Sequence, residues 1–160
     1  MPATKHHSTS SARRAFDMTQ IDFYTHVDNK LHTLCVLAAK AIAKDVRMMI
    51  LTPDAESTER VDRALWTQPT IGFVPHCRSQ HRLAPVTPVI VDHLSDPVVH
   101  EQLLVNLCDD CPPIFSRFER LIEIVSRDPA DRESARNRFR LYRDRGYEIR
   151  THDLSQGQGQ

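Results

Sequence analysis

Four arginines near the end of the chain recur at the spacing of one helix face. They follow one another at intervals of four, four and three residues, as Arg132, Arg136, Arg140 and Arg143. On an α-helix this spacing places the side chains in a single stripe. A guanidinium is a planar, permanently charged group that binds carboxylates and phosphates through two parallel hydrogen bonds. The stripe therefore indicates a site for an anionic ligand.

Apolar residues accompany this arginine stripe on the neighbouring helix face, where Ala135, Phe139 and Tyr142 are spaced by four and three. From Arg127 to Arg150 the chain carries eight arginines against five acids, an excess of three positive charges. An acidic peptide that ends in a large apolar residue fits this combination. Single-stranded nucleic acid fits it too, because bases stack on aromatic rings. A solvated helix face with local ion pairs is a further interpretation.

Cysteine and histidine give a weaker signal for metal binding. Cys108 and Cys111 have the spacing of a ligand pair, and His76, Cys77 and His81 lie earlier in the sequence. A zinc site of this kind needs a second pair at a defined spacing, which the sequence lacks. We interpret Cys108 and Cys111 as small, partly buried thiols and expect no metal site.

Glycine is too scarce for a phosphate-binding loop. The four glycines are Gly72, Gly146, Gly157 and Gly159, so neither the P-loop nor the dinucleotide-binding fingerprint is present. The sequence also lacks the Gly-x-Ser-x-Gly turn of the α/β-hydrolases. We therefore expect no nucleotide cofactor, no other cofactor and no catalytic residues.

Strand and helix patterns alternate along the chain and would position the arginine stripe. Predicted strands span residues 21–25, 46–51, 89–91, 103–107, 121–125 and 147–151, with a further extended piece at 73–75. Predicted helices span about 29–45, from a cap at Asp54 or Ser57 to about Trp66, and about 130–145. This alternation predicts one three-layer α/β domain with a mostly parallel sheet and without a glycine-rich nucleotide loop.

Length and charge limit the possible functions. The 160 residues suit one domain, and we expect it to span 18–153, after a disordered leader at 1–17 and before a disordered tail at 154–160. No apolar run is long enough for a membrane span. The formal net charge is zero, whereas domains that bind duplex DNA usually carry a basic excess.

Two motifs carry a resemblance to a known family. The first is ALWTQP at residues 64–69, followed after three residues by FVPH at 73–76, and the second is ARNRFRLYRDRGY at 135–147. In this order and separation they resemble the signatures of the DNA polymerase III chi subunit family. The resemblance extends over about residues 21–153, nearly the whole predicted domain.

This resemblance implies a Rossmann-like α/β domain that serves as a non-catalytic adaptor in the clamp loader of a bacterial replicative polymerase. It implies two protein partners in the cytoplasm. One is the psi subunit, and the other is the acidic C-terminal tail of the single-stranded DNA-binding protein, which ends in Pro-Phe with a free carboxylate. Nucleic acid would then be reached mainly indirectly. Direct binding of single-stranded nucleic acid by the arginine stripe is the alternative.

The resemblance also assigns residues to the two partners. For the tail it implies Trp66, Val125, Arg136, Phe139, Arg140, Arg143 and Thr151. Arg140 would pair with the carboxylates, while Phe139, Val125 and Trp66 would pack the apolar end. The family frequently has Tyr at the position of Phe139 and Lys at that of Arg140. For psi it implies Phe73, Val74 and Pro75.

Overall fold

Seven strands and three α-helices lie in the part of the chain that the structure, a computed structural model, describes: residues 18–68 and 72–155. The strands are β1 Gln20–Val27, β2 Met48–Leu51, β3 His76–Cys77, β4 Val89–Asp92, β5 Leu103–Asn106, β6 Arg120–Ser126 and β7 Ile149–Asp153. The helices are α1 Lys30–Ala43, α2 Ala55–Thr67 and α3 Pro129–Asp144. The predicted leader at 1–17 and most of the predicted tail, 156–160, lie outside the described residues.

All seven strands form one parallel sheet in the order β3-β4-β2-β5-β6-β1-β7. Helices α1 and α2 pack on one face of the sheet, and α3 packs on the other. The central strands β2 and β4 are buried along their whole length, as expected for parallel strands covered on both faces. The predicted three-layer α/β class is therefore confirmed. No helix in the described ranges is long and apolar enough to cross a membrane.

The third strand lies later in the sequence than the extended piece predicted at 73–75. Sheet pairing begins at His76, which is in register with Val89. Pro75 has no backbone N–H to donate to a strand ladder, so pairing begins only after it. The aromatic and β-branched side chains of Phe73 and Val74 favour an extended backbone but do not ensure pairing with a neighbouring strand.

Each helix begins at a polar cap, and the cap of α2 is Asp54, one of the two residues predicted for it. The side chains of Asn29, Asp54 and Asp128 accept hydrogen bonds from the first turns of α1, α2 and α3, respectively. After α3 the chain turns at Gly146, whose φ of +85° lies in the left-handed region that glycine adopts without strain. This turn sends the chain into β7, parallel to β1.

A buried ionic cluster attaches α3 to the sheet. Glu123 on β6 is fully buried and accepts hydrogen bonds from Arg138 Nε at 3.1 Å, Tyr142 Oη at 2.7 Å and Asn106 Nδ2 at 3.1 Å. Burial raises the pKa of Glu123, whereas the Arg138 charge and these hydrogen bonds oppose that rise. The cluster fixes the rotation of α3, so that Arg138 points inward and the arginine stripe points away from the sheet.

Candidate functional site

A groove runs between α3 and the edge of the sheet that ends in β7. Its cavity volume is about 500 Å³. Six of its thirteen lining residues come from α3, and the other seven come from β1, β6 and β7. The lining residues are Phe23, Thr25, His26, Val125, Ser126, Arg132, Ala135, Arg136, Phe139, Arg140, Arg143, Thr151 and Asp153.

The floor of the groove is apolar. Phe23 of β1 and Val125 of β6 are buried, as is Ala135 on α3, and Phe139 is half-buried. The rings of Phe23 and Phe139 meet edge to face, with their centroids 5.4 Å apart. This contact holds the Phe139 ring in place, which leaves a preformed apolar surface open to the groove.

Four exposed arginines form the rim of the groove along α3. Within residues 18–68 and 72–155, no carboxylate lies at ion-pair distance from Arg132, Arg136 or Arg140. Arg143 contacts its neighbour Asp144 at 3.3 Å. The interpretation of the stripe as a face of local ion pairs therefore does not hold for these three, whose guanidinium groups can bind an incoming anion.

The far wall of the groove comes from β1 and β7. Residue His26 has a φ of +57°, and the pairing of β1 with β6 is irregular between Tyr24 and Val27. This break in strand alternation turns both Thr25 and His26 toward the groove. His26 Nδ1 lies 2.9 Å from an Asp153 carboxylate oxygen.

Six of the seven residues that the family resemblance assigned to the tail line this groove: Val125, Arg136, Phe139, Arg140, Arg143 and Thr151. Trp66 does not lie there. Its helix, α2, leads to β3 at one edge of the sheet, whereas the groove is at the opposite edge, beside β7. Six strand spacings separate those edges, which is about 29 Å. The motif identified Trp66 in the sequence, but it could not predict which edge of the sheet this residue lies near.

Trp66 instead forms an exposed aromatic patch with Phe73. Their ring centroids are 5.0 Å apart, and the two residues are 61% and 62% exposed. Val74, predicted to face psi, is only 1% exposed and packs in the core, so its side chain cannot contact a partner. Pro75 is half-buried. Of the three residues assigned to psi, Phe73 is therefore the one that presents a large apolar surface.

The cysteines lie away from the groove. Burial raises the pKa of the Cys108 thiol to about 11, and the pKa of Cys111 is raised for the same reason. Both thiols are free and half-buried. In the ranges 18–68 and 72–155, no three His, Cys, Asp or Glu side chains are arranged to hold a metal ion.

The sequence-based prediction missed five residues of the groove: Phe23, Thr25, His26, Ser126 and Asp153. A signal existed for Phe23, because an aromatic residue inside a predicted strand has to face one side of the sheet. Its proximity to Phe139 depends on β1 lying between β6 and β7. Strand order of this kind is not encoded in local sequence patterns.

Fold and groove together define the class of protein: a parallel α/β domain with an apolar-floored, basic-rimmed groove beside an edge strand. The chain belongs to the DNA polymerase III chi subunit family, whose model matches residues 18–150. The polymerase III subunit chi of Pseudomonas aeruginosa is 31% identical over 141 residues, covering 86% of this chain and 98% of the relative. The subunits chi of Haemophilus influenzae and Escherichia coli are 26% and 25% identical, covering 82% and 74% of this chain and 95% and 81% of those relatives.

Proposed function

We propose that this chain is a non-catalytic adaptor of the replicative polymerase assembly. Its groove binds the acidic C-terminal tail of the single-stranded DNA-binding protein, and its aromatic patch binds the psi subunit. One observation supports the tail site above all: three arginines that no carboxylate of the described residues pairs with border an apolar floor. An acidic segment that ends in an apolar residue matches both features.

The tail sits in the groove with its last side chain on the floor. The terminal phenylalanine packs against Phe139 and Val125, which buries apolar surface on both partners. Arg140 then pairs with the terminal carboxylate through its planar fork. Arg136 and Arg143 attract the acidic residues that precede it. The exposed hydroxyl of Thr151, at the opposite wall, donates a hydrogen bond to the tail.

The aromatic patch of Trp66 and Phe73 is the psi site in this proposal. Large exposed aromatic side chains are enriched at protein interfaces, where they act as anchors. Trp66, which the family resemblance assigned to the tail, is therefore assigned to the psi site. The two partners occupy opposite edges of one sheet, so the adaptor holds both at once and works in the bacterial cytoplasm with the polymerase.

The tail site is tested with a fluorescent peptide that copies the acidic Pro-Phe terminus and keeps its carboxylate free. We expect wild-type binding at roughly micromolar Kd, since a short peptide buries little area. Arg140→Ala should weaken binding about tenfold or more, because a carboxylate loses its partner. Arg145→Ala is the matched control, since it removes the same charge just after α3 but outside the groove.

Two results would contradict the tail site. One is no binding to the wild type at low salt, and the other is equal loss in Arg140→Ala and Arg145→Ala. A peptide with an amidated terminus adds a second check, and it should bind more weakly than the free acid to the wild type but not to Arg140→Ala.

Direct binding of single-stranded nucleic acid in the same groove is the second candidate, and the exposed guanidinium groups of Arg132, Arg136 and Arg140 favour it. Against it, the groove's rings of Phe23 and Phe139 meet edge to face at 63°, so they form no flat platform for a base. Oligonucleotide binding that Arg140→Ala abolishes would establish this candidate.

A further inference from the structure

A second basic cavity lies on the opposite face of the sheet from the groove. It is formed by the C-terminal end of α1 and by residues of β1, β5 and β6. Its volume is about 230 Å³. We call it the basic pocket. Its lining residues are Tyr24, Leu37, Lys40, Ala41, Lys44, Val46, Leu103, Arg120 and Ile122.

Of the described residues that line the basic pocket, three are basic and none is acidic. Lys40 and Lys44 are exposed, one turn apart at the end of α1, and no carboxylate in the described ranges pairs with either. The helix dipole favours cations at this end, which explains two lysines but not a third charge. That charge, Arg120, comes from a separate strand.

The side chain of Arg120 is held in position by two neighbours on β1. Its Nε donates to Asp22 at 2.7 Å, and one terminal nitrogen lies 3.5 Å from Tyr24 Oη. A guanidinium has five N–H donors, so three remain for a ligand. Burial opposes ionisation of Asp22, but hydrogen bonds from His152 and Arg120 outweigh it and lower the pKa of that carboxyl. Asp22 and Arg120 thus form an ion pair, so Arg120 offers a ligand its remaining N–H donors, while Lys40 and Lys44 supply the unpaired positive charge among the described residues.

One side of the basic pocket is formed by Tyr24, which pairs with the ring of His152 just outside the lining. The Tyr24 ring stacks on His152, with centroids 4.7 Å apart and planes inclined by 19°. His152 Nε2 also contacts Asp22 at 2.8 Å, which fixes the imidazole ring. Both rings are half-buried. Basic side chains beside a fixed aromatic platform are the usual composition of a single-strand site.

We propose that the basic pocket binds single-stranded nucleic acid directly. Lys40, Lys44 and Arg120 contact backbone phosphates. An unpaired base stacks at the Tyr24–His152 pair, next to the apolar side chains that line the basic pocket. A duplex would bring phosphates to the lysines but no free base to the rings. The chain belongs to a family of replication subunits, so such a strand is close to it. This contact goes beyond the proposed adaptor function, which reaches nucleic acid through a protein.

The test uses a labelled oligothymidine of about 16 nucleotides, without any partner protein, at low salt. We expect wild-type binding that Lys40→Ala/Lys44→Ala weakens about tenfold or more. The same variant should reduce the slope of log affinity against log salt by about 1.4, which corresponds to two lost phosphate contacts. Tyr24→Ala should weaken binding about fivefold or more through lost stacking. The lysines are exposed, and circular dichroism confirms that the variants fold.

Arg136→Ala/Arg140→Ala is the matched control, because it removes two cations from the groove on the opposite face. The proposal is overturned if the wild type does not bind the oligonucleotide. It is also overturned if the groove variant loses binding and the lysine variant keeps it. An acidic peptide that binds in a lysine-dependent way, without oligonucleotide binding, would identify a peptide site instead. Loss of tail-peptide binding alone would leave this proposal intact.

Discussion

Arg138 and Arg140 are two residues apart on α3, yet their surroundings are opposite. Arg138 is 4% exposed and donates to Glu123, Asp109 and Ser134. Arg140 is exposed at the groove, and no carboxylate within residues 18–68 and 72–155 pairs with it. Two residues on a helix are about 200° apart, so one side chain faces the sheet while the other faces away from it. Arg138 therefore positions the helix, and Arg140 is available to a ligand.

This difference predicts different effects on stability. Arg138→Ala should lower the free energy of unfolding by about 3–5 kcal/mol, because it leaves the buried Glu123 carboxylate unpaired. Arg140→Ala should change it by less than about 0.5 kcal/mol. Urea denaturation at neutral pH measures both. Equal, small effects would mean that the buried cluster does not anchor α3.

The pH dependence of the stability of Arg138→Ala tests whether the buried Glu123 carboxylate causes its destabilisation. Without the Arg138 charge, burial raises the pKa of Glu123 further above its value in the unfolded chain. The folded state then takes up a proton more readily than the unfolded state, so the stability of the variant should recover as the pH is lowered from about 7 toward 5. If the difference in the free energy of unfolding between the variant and the wild type stays constant over this range, the role of Glu123 is contradicted.

At the scale of elements, the start of α3 is tied to two neighbours through Asp131. Its carboxylate accepts hydrogen bonds from Ser126 N at 2.8 Å and Ser126 Oγ at 2.9 Å, and it pairs with Lys30 at 3.2 Å. Burial opposes ionisation of Asp131, but these contacts outweigh it and lower its pKa. One carboxylate thus joins the end of β6 to the starts of α1 and α3.

The sign of this shift gives a prediction for acid conditions. A carboxyl whose pKa is lowered by folding stabilises the fold above its unfolded pKa of about 4, and this contribution is lost as the pH falls through the folded pKa. Asp131→Asn should therefore be less stable than the wild type at pH 7 and lose less stability between about pH 5 and 2. Urea denaturation across that range measures the free energy of unfolding of both proteins. Parallel curves of this free energy against pH would contradict the stabilising role of the Asp131 carboxylate.

Local sequence patterns were enough to predict most elements and one side of the groove. The periodicity of α3 placed Arg136, Arg140 and Arg143 on one face, and the structure shows all three along the groove. What local patterns lack is strand order. The contribution of Phe23 and the location of Trp66 both depend on which strands are neighbours, and this is decided by packing between distant parts of the chain.

At the scale of the whole molecule, the groove and the aromatic patch lie at opposite edges of one sheet. Trp66→Ala/Phe73→Ala should therefore abolish binding of psi and leave binding of the tail peptide unchanged, since sites more than about 10 Å apart without shared partners act independently. Arg140→Ala should show the reverse pattern. Calorimetric titration of each variant with each partner measures both. Loss of both partners in a folded single-site variant would contradict two separate sites.

The most direct test of the central claim, that the groove binds the acidic tail, is a nitrogen–proton NMR titration of the wild type with the tail peptide. The account predicts that the largest shift changes fall on Thr25, Val125, Phe139 and Thr151, with Trp66 and Phe73 unchanged. Changes centred on Trp66 and Phe73, or no changes at saturating peptide, would contradict it.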